Sequence, residues 1–157
     1  MIIKQLVDED FTNYKNPSMF IGFPNCSFKC EKECGEQVCQ NSVLAQAQNI
    51  DISINDICKR YVNNDMTKSI VCGGLEPFDS FEDLYKLVKI LRLYIFDDIV
   101  IYSGYNKNEI IDKVNKLSEF CNIIIKFGRF KPNQEKHYDK VLGVYLASDN
   151  QYAERMS

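Results

Sequence analysis

The sequence predicts an α/β fold, an incomplete (partial) β/α barrel with a mainly parallel sheet, formed as one domain over residues 1–157. Three observations carry the prediction. Short apolar runs alternate with amphipathic stretches at a spacing of about 25–30 residues, which implies parallel strands joined by right-handed crossovers. About five such units fit the chain, too few to close an eight-stranded barrel of about 250 residues. The loops with unusual chemistry all follow predicted strands, at the end of the sheet where such folds gather their ligands.

Met19–Phe23 is a short apolar run stopped by Pro24-Asn25, and reads as a buried strand. The cysteine-rich segment follows it as a loop, and Ser42–Gln48 reads as a short helix capped by Ser42. Ser53 with Asp56 three places on opens a helix to about Asn63. Ser69–Cys72 is the next buried strand, ended by Gly73-Gly74. Ser80 and Asp83 repeat the capping signature before Phe81, Leu84, Val88 and Leu91, which share one helical face. Strand 99–102 ends at Ser103-Gly104, and a helix carrying Ile110, Val114 and Leu117 follows. Strands at Asn122–Phe127 and Val141–Leu146 complete the pattern.

Hydrophobic residues make up 45% of the chain and charged residues 26%, the balance of an ordinary globular domain. Net charge is −3, from 19 basic and 22 acidic residues, so no basic field invites nucleic acid. No apolar run approaches the roughly 20 residues that cross a bilayer, and the first residues lack the pattern of a signal peptide. The expected location is cytoplasmic, with no membrane partner.

Seven cysteines are present, and four of them crowd into Cys26, Cys30, Cys34 and Cys39. In a reducing compartment that density points to metal ligation and not to a disulfide framework. Thiolates suit an iron–sulfur cluster or zinc. A closed four-cysteine zinc site is the competing reading, although zinc sites commonly pair their cysteines as two close doublets. Cys58, Cys72 and Cys121 stand apart among apolar neighbours and read as small buried hydrophobes. His137, the sole histidine, lies in a polar stretch and reads as solvated.

A strand followed by Asn25-Cys26-Ser27-Phe28-Lys29-Cys30 resembles the cluster loop of the radical S-adenosylmethionine superfamily. That pattern, C-x3-C-x2-C, would put its third cysteine where this chain has Glu33. Cys39 is the favoured third ligand, because Cys39-Gln40-Asn41 resembles the Cys-His-Asn ending the loop in activating enzymes; Cys34 is the alternative. Gly73-Gly74-Leu75-Glu76-Pro77 resembles the superfamily's Gly-Gly-Glu-Pro loop, with Leu75 as an extra residue. Tyr102-Ser103-Gly104-Tyr105, Gly128-Arg129-Phe130 and Ser148-Asp149-Asn150-Gln151 are similar to segments of the activating protein family of anaerobic ribonucleotide reductase. The likeness runs from about Met19 to Gln151.

The resemblance implies a 4Fe–4S cluster on three cysteines, with one iron left open for S-adenosyl-L-methionine. It implies that Gly73, Gly74, Glu76, Pro77, Ser103 and Tyr105 bind that cofactor, and that a side chain at Gly74 would intrude on it. The implied activity is reductive cleavage of S-adenosylmethionine to a 5′-deoxyadenosyl radical, with no catalytic side chain beyond the cluster and cofactor. The implied partners are a glycyl-radical protein as substrate and a one-electron reductant such as flavodoxin or ferredoxin. A radical enzyme acting on a small molecule or peptide, and a non-catalytic zinc-stabilised binding module, are the alternatives.

Overall fold

A computed structural model describes all of residues 1–157. Its main sheet contains β2 (Gln5–Asp10), β3 (Ser18–Phe23), β5 (Ser69–Gly74), β6 (Asp98–Tyr102), β7 (Ile123–Phe127) and β10 (Tyr152–Arg155), in the order β10-β7-β6-β5-β3-β2. The four central strands β3, β5, β6 and β7 run parallel, and β2 and β10 pair antiparallel at the two edges. A second small ladder joins β1 (Ile2–Ile3) to β4 (Ile50–Asp51), and a hairpin joins β8 (His137–Asp139) to β9 (Val144–Leu146). Helices are α1 (Lys29–Cys34), α2 (Ser42–Gln46), α3 (Ile54–Val62), α4 (Phe81–Leu91) and α5 (Ile111–Leu117). None is long and apolar enough to cross a membrane.

Strand periodicity divides the core in two. Ile70, Cys72, Ile99, Ile101, Ile123 and Ile125 point to one face and pack against Ile57, Leu84, Leu87, Val88 and Val114 of the helices. Val71, Val100 and Ile124 point to the other face, under Tyr14, Leu142 and Leu146. Parallel strands buried on both faces read as unbroken apolar runs, as these do.

The helix starts differ in detail from those the sequence predicts. Ser53 caps α3 as expected, accepting the Asp56 N–H at 3.0 Å. Ser80 makes no cap bond, because the helical turn begins earlier, in a 3₁₀ turn over Pro77–Ser80. Pro77 starts that turn with its fixed φ, and the Glu76 carboxylate accepts the Phe78 N–H at 3.1 Å. Ser42 lies inside α2 and not at its cap.

The expected strand over Val141–Leu146 is shorter and does not join the main sheet. Asp139 accepts the Val141 and Leu142 N–H groups at 2.9 Å each and Gly143 takes φ +73°, so the chain turns there and only β9 remains extended. The sheet position at that end belongs to β10. Cys58 and Cys72 are buried as predicted, whereas Cys121 is exposed in the turn before β7. His137 is half-buried in β8, with its Nδ1 buried and unpaired, and so is less exposed than its polar stretch suggests.

Candidate metal centre

The register between β3 and β5 sets Gly22 beside Gly73 and Phe23 beside Gly74. Pairing continues past the strand ends: Leu75 N–H donates to Phe23 O at 3.3 Å and Glu76 N–H to Asn25 O at 2.8 Å. The cysteine segment and the Gly73–Pro77 loop therefore leave the sheet side by side. Ser103-Gly104 leaves the neighbouring strand β6, and the turn after β7 completes the rim.

These loops enclose a cavity of about 390 Å³. Cys26, Cys30 and Cys39 line it, together with Gly73, Gly74, Glu76, Ser103 and Lys126. Two predicted site residues lie elsewhere. Pro77 is buried beneath the loop. Tyr105 faces an adjoining crevice, where its hydroxyl donates to Asp79 Oδ1 at 2.5 Å.

Helix α1 separates the cysteines. Phe28, at φ +51°, turns the chain into it and directs its own N–H to Cys26 Sγ at 3.2 Å. The helix carries Glu33 and Cys34 out of the cavity; Glu33 pairs with Arg129 at 3.1 Å, and Cys34 is exposed with its thiol against the carbonyls of Glu31 and Glu36. Gly35, at φ +72°, ends the helix and sends the chain back with Cys39. The irregular spacing thus corresponds to one helical turn and its return.

Burial pushes the Cys26 thiol up to about 11, against the Phe28 N–H. The same cause raises Cys30, with the Phe130 N–H, Lys126 and Arg129 pulling the other way. Ligation needs thiolates, so metal loading at this site releases protons. Three sulfurs around one cavity suit an iron–sulfur cube, which spans its ligands.

Glu76 is 5% exposed. Its carboxylate accepts from Phe78 N–H, Ser103 Oγ at 3.0 Å and Gly104 N–H at 2.8 Å, bracing two loops together. Burial nonetheless raises it to about 7. Gly74 adopts φ +81°. A Cβ there would meet Gly22 Cα at 2.8 Å and Leu44 Cδ2 at 2.9 Å, so the glycine makes room for β3 and α2.

Sequence reasoning missed Lys126 as a site residue. It is 5% exposed, next to last in β7, and its ammonium donates to Ser103 O at 3.3 Å and Gly128 O at 2.8 Å. Burial lowers it to about 8. The available signal was a lone cation at the carboxyl end of the apolar run Ile123-Ile124-Ile125.

A family model described as 4Fe-4S single cluster domain matches residues 18–152. The chain belongs to that family, and a 4Fe–4S cluster is the cofactor it indicates. No curated protein and no solved structure matches the chain.

Proposed function

We propose that this protein is a radical S-adenosylmethionine enzyme with a partial β/α barrel, whose cluster is held by Cys26, Cys30 and Cys39, and that it activates a glycyl-radical protein. One observation carries the reading. The three cysteines, Gly73–Glu76 and Ser103-Gly104 open into one cavity at the carboxyl ends of the parallel strands. When bound, the cluster supplies the single electron for reductive cleavage of S-adenosylmethionine.

The chain's own residues bind and orient. Three of the roughly four lone-pair sites of the Glu76 carboxylate are taken, which leaves one acceptor for the cofactor's ammonium. Lys126 uses two of its three donors on carbonyls and keeps one for the cofactor's carboxylate. Gly73 and Gly74 form the wall beside them. Ser103 and Tyr105 act indirectly: the Ser103 hydroxyl donates to Glu76, and Tyr105 steadies the cysteine loop through Ser27 and Asp79. Exposed Phe11, Val43 and Tyr145 stand on or beside segments lining the cavity, and suit a macromolecular substrate that brings its own surface.

Anaerobic reconstitution with iron and sulfide, followed by reduction in the presence of S-adenosylmethionine, should yield 5′-deoxyadenosine. Adding glycyl-radical proteins from the same genome should yield the doublet glycyl signal in paramagnetic resonance. Deoxyadenosine formed without that signal, but stimulated by a metabolite extract, transfers the reading to a small-molecule substrate. A loaded cluster with no deoxyadenosine under any condition overturns it.

A further inference from the structure

Arg129 is 4% exposed, yet no reaction step needs it. Its guanidinium donates to Glu109 through Nη1 at 2.7 Å and Nη2 at 2.6 Å, a bidentate pair that fixes its plane. Its backbone is equally fixed, since Asn150 Nδ2 donates to Arg129 O at 2.9 Å and Gly128 N–H to Tyr105 O at 3.0 Å. Nε lies 3.1 Å from Glu33 Oε1, but its N–H is not directed at that oxygen and is buried without a hydrogen-bond partner. Lys29 reaches the same Glu109 carboxylate at 3.3 Å, and both cations lie over the Tyr105 ring, at 4.5 Å and 5.9 Å.

This assembly borders the cysteine loop. Arg129, Lys29, Tyr105, Cys26 and Cys30 line one crevice behind the main cavity. The guanidinium and the Cys30 thiol share that crevice. Glu33, which Arg129 engages, occupies the position of the third cysteine in the shorter loop pattern. The contact that draws α1 toward the turn after β7 thus also sets a fixed cation behind a ligand.

We propose that Arg129 is a positioning residue of the cluster site: it latches α1 and holds a buried positive charge behind Cys30 that favours the reduced form of the bound cluster. A reduced cluster carries one more negative charge than an oxidised one, and a nearby cation in a poorly solvated crevice stabilises it. Glu109 moderates that charge by pairing with it. The inference rests on the cluster reading and not on the radical chemistry.

The test is a paramagnetic resonance redox titration of the reconstituted full chain. Arg129→Gln should cut the ratio of reduced to oxidised cluster at fixed potential about tenfold, a midpoint shift of about 59 mV downward for one electron. Arg129→Lys keeps the charge and should return the midpoint toward that of the wild type. Glu109→Gln, which leaves the guanidinium but removes its paired anion, should move the midpoint upward, and serves alone if Arg129→Gln does not load. Midpoints unchanged across loaded variants overturn the proposal while leaving the cluster reading intact. Failure of the wild type to take up iron and sulfide would overturn both.

Discussion

From Asn25 to Glu33 the cysteine segment is tied to the loops around it. Asn25 holds Ser80 at 2.9 Å and Glu76 at 2.8 Å, Ser27 N–H reaches Asp79 at 2.6 Å, Lys29 reaches Glu109, and Glu33 reaches Arg129. From Gly35 to Asn41 the hydrogen bonds stay within residues 31–45, such as Cys39 N–H to Glu31 Oε1 at 3.3 Å. Two candidate ligands are therefore preset by the fold, and the third sits on an arm held mainly by itself. The lesson concerns spacing. A motif position anchored by tertiary contacts cannot shift, whereas an untied arm tolerates the additional residues that separate Cys39 from Cys30.

The largest effects should come from the ligands. Cys26→Ala or Cys30→Ala should abolish cluster assembly, since each removes one of three thiolates from the cavity. Cys39→Ala should do the same, while Cys34→Ala, outside the cavity, should retain full iron and sulfide content. Full content in Cys39→Ala would show that the arm delivers Cys34 instead, and the comparison would break at its free end.

Next in size is Gly74→Val, which strikes the wall of the cavity where β3 and Leu44 close on it. An L side chain at φ +81° costs about 1–2 kcal/mol, and forced overpacking about 1–3 more, so a loss of roughly 2–5 kcal/mol is expected. Urea unfolding of the metal-free protein measures it. An unperturbed midpoint would mean that β3 and Leu44 yield easily.

Much of this was legible in the sequence. Apolar runs broken by Gly-Gly and Ser-Gly placed the parallel strands, and the cysteine cluster marked the candidate metal site. What was not legible depended on distant partners. Gly74 stood out in the sequence, but the atoms it makes room for belong to β3 and α2. The resemblance gave Glu76 to the cofactor but not its bracing of Ser103 and Gly104, 27 and 28 residues away. Arg129 gave no sign of its pairing with Glu33. The edge strands β2 and β10 lack an unbroken apolar run, because Gln5–Asp10 and Tyr152–Arg155 are largely exposed or half-buried, and their pairing is set by the strands beside them.

The loops around the anchored half should also carry a pH signature. Glu76 rises from 4.5 to about 7 through burial, so between those values the folded chain keeps a proton that the unfolded chain has released. Raising the pH there weakens folding. Lys126 falls from 10.5 to about 8 through burial, so between about 8 and 10.5 the unfolded chain holds the additional proton, and raising the pH strengthens folding. The pair's contribution is thus lowest between about pH 7 and 8. In urea unfolding, the stability of wild type relative to Glu76→Gln should fall by on the order of 2–3 kcal/mol between pH 5 and 7.5. A constant difference would mean that Glu76 stays ionised throughout.

The smallest effect bears most directly on the contrast between the two halves. Asp79 accepts the Ser27 N–H at 2.6 Å and the Tyr105 hydroxyl at 2.5 Å, both on the anchored side. Asp79→Asn exchanges one acceptor oxygen for a donor, and bonds to charged groups contribute about 1.5–3 kcal/mol, so an anchored-half opening should become easier by about 1–2 kcal/mol. Glu31→Gln keeps an acceptor for the Cys39 N–H, whose bond is long at 3.3 Å, and should change less than about 0.5 kcal/mol. Hydrogen exchange of the metal-free protein reads both locally. Amides of residues 25–33 should be protected in the wild type and lose protection in Asp79→Asn, while those of residues 36–40 exchange fast in all three proteins. Equal protection of the two stretches would mean that the arm is held by packing its hydrogen bonds do not reveal, and that all three thiols are set before a cluster arrives.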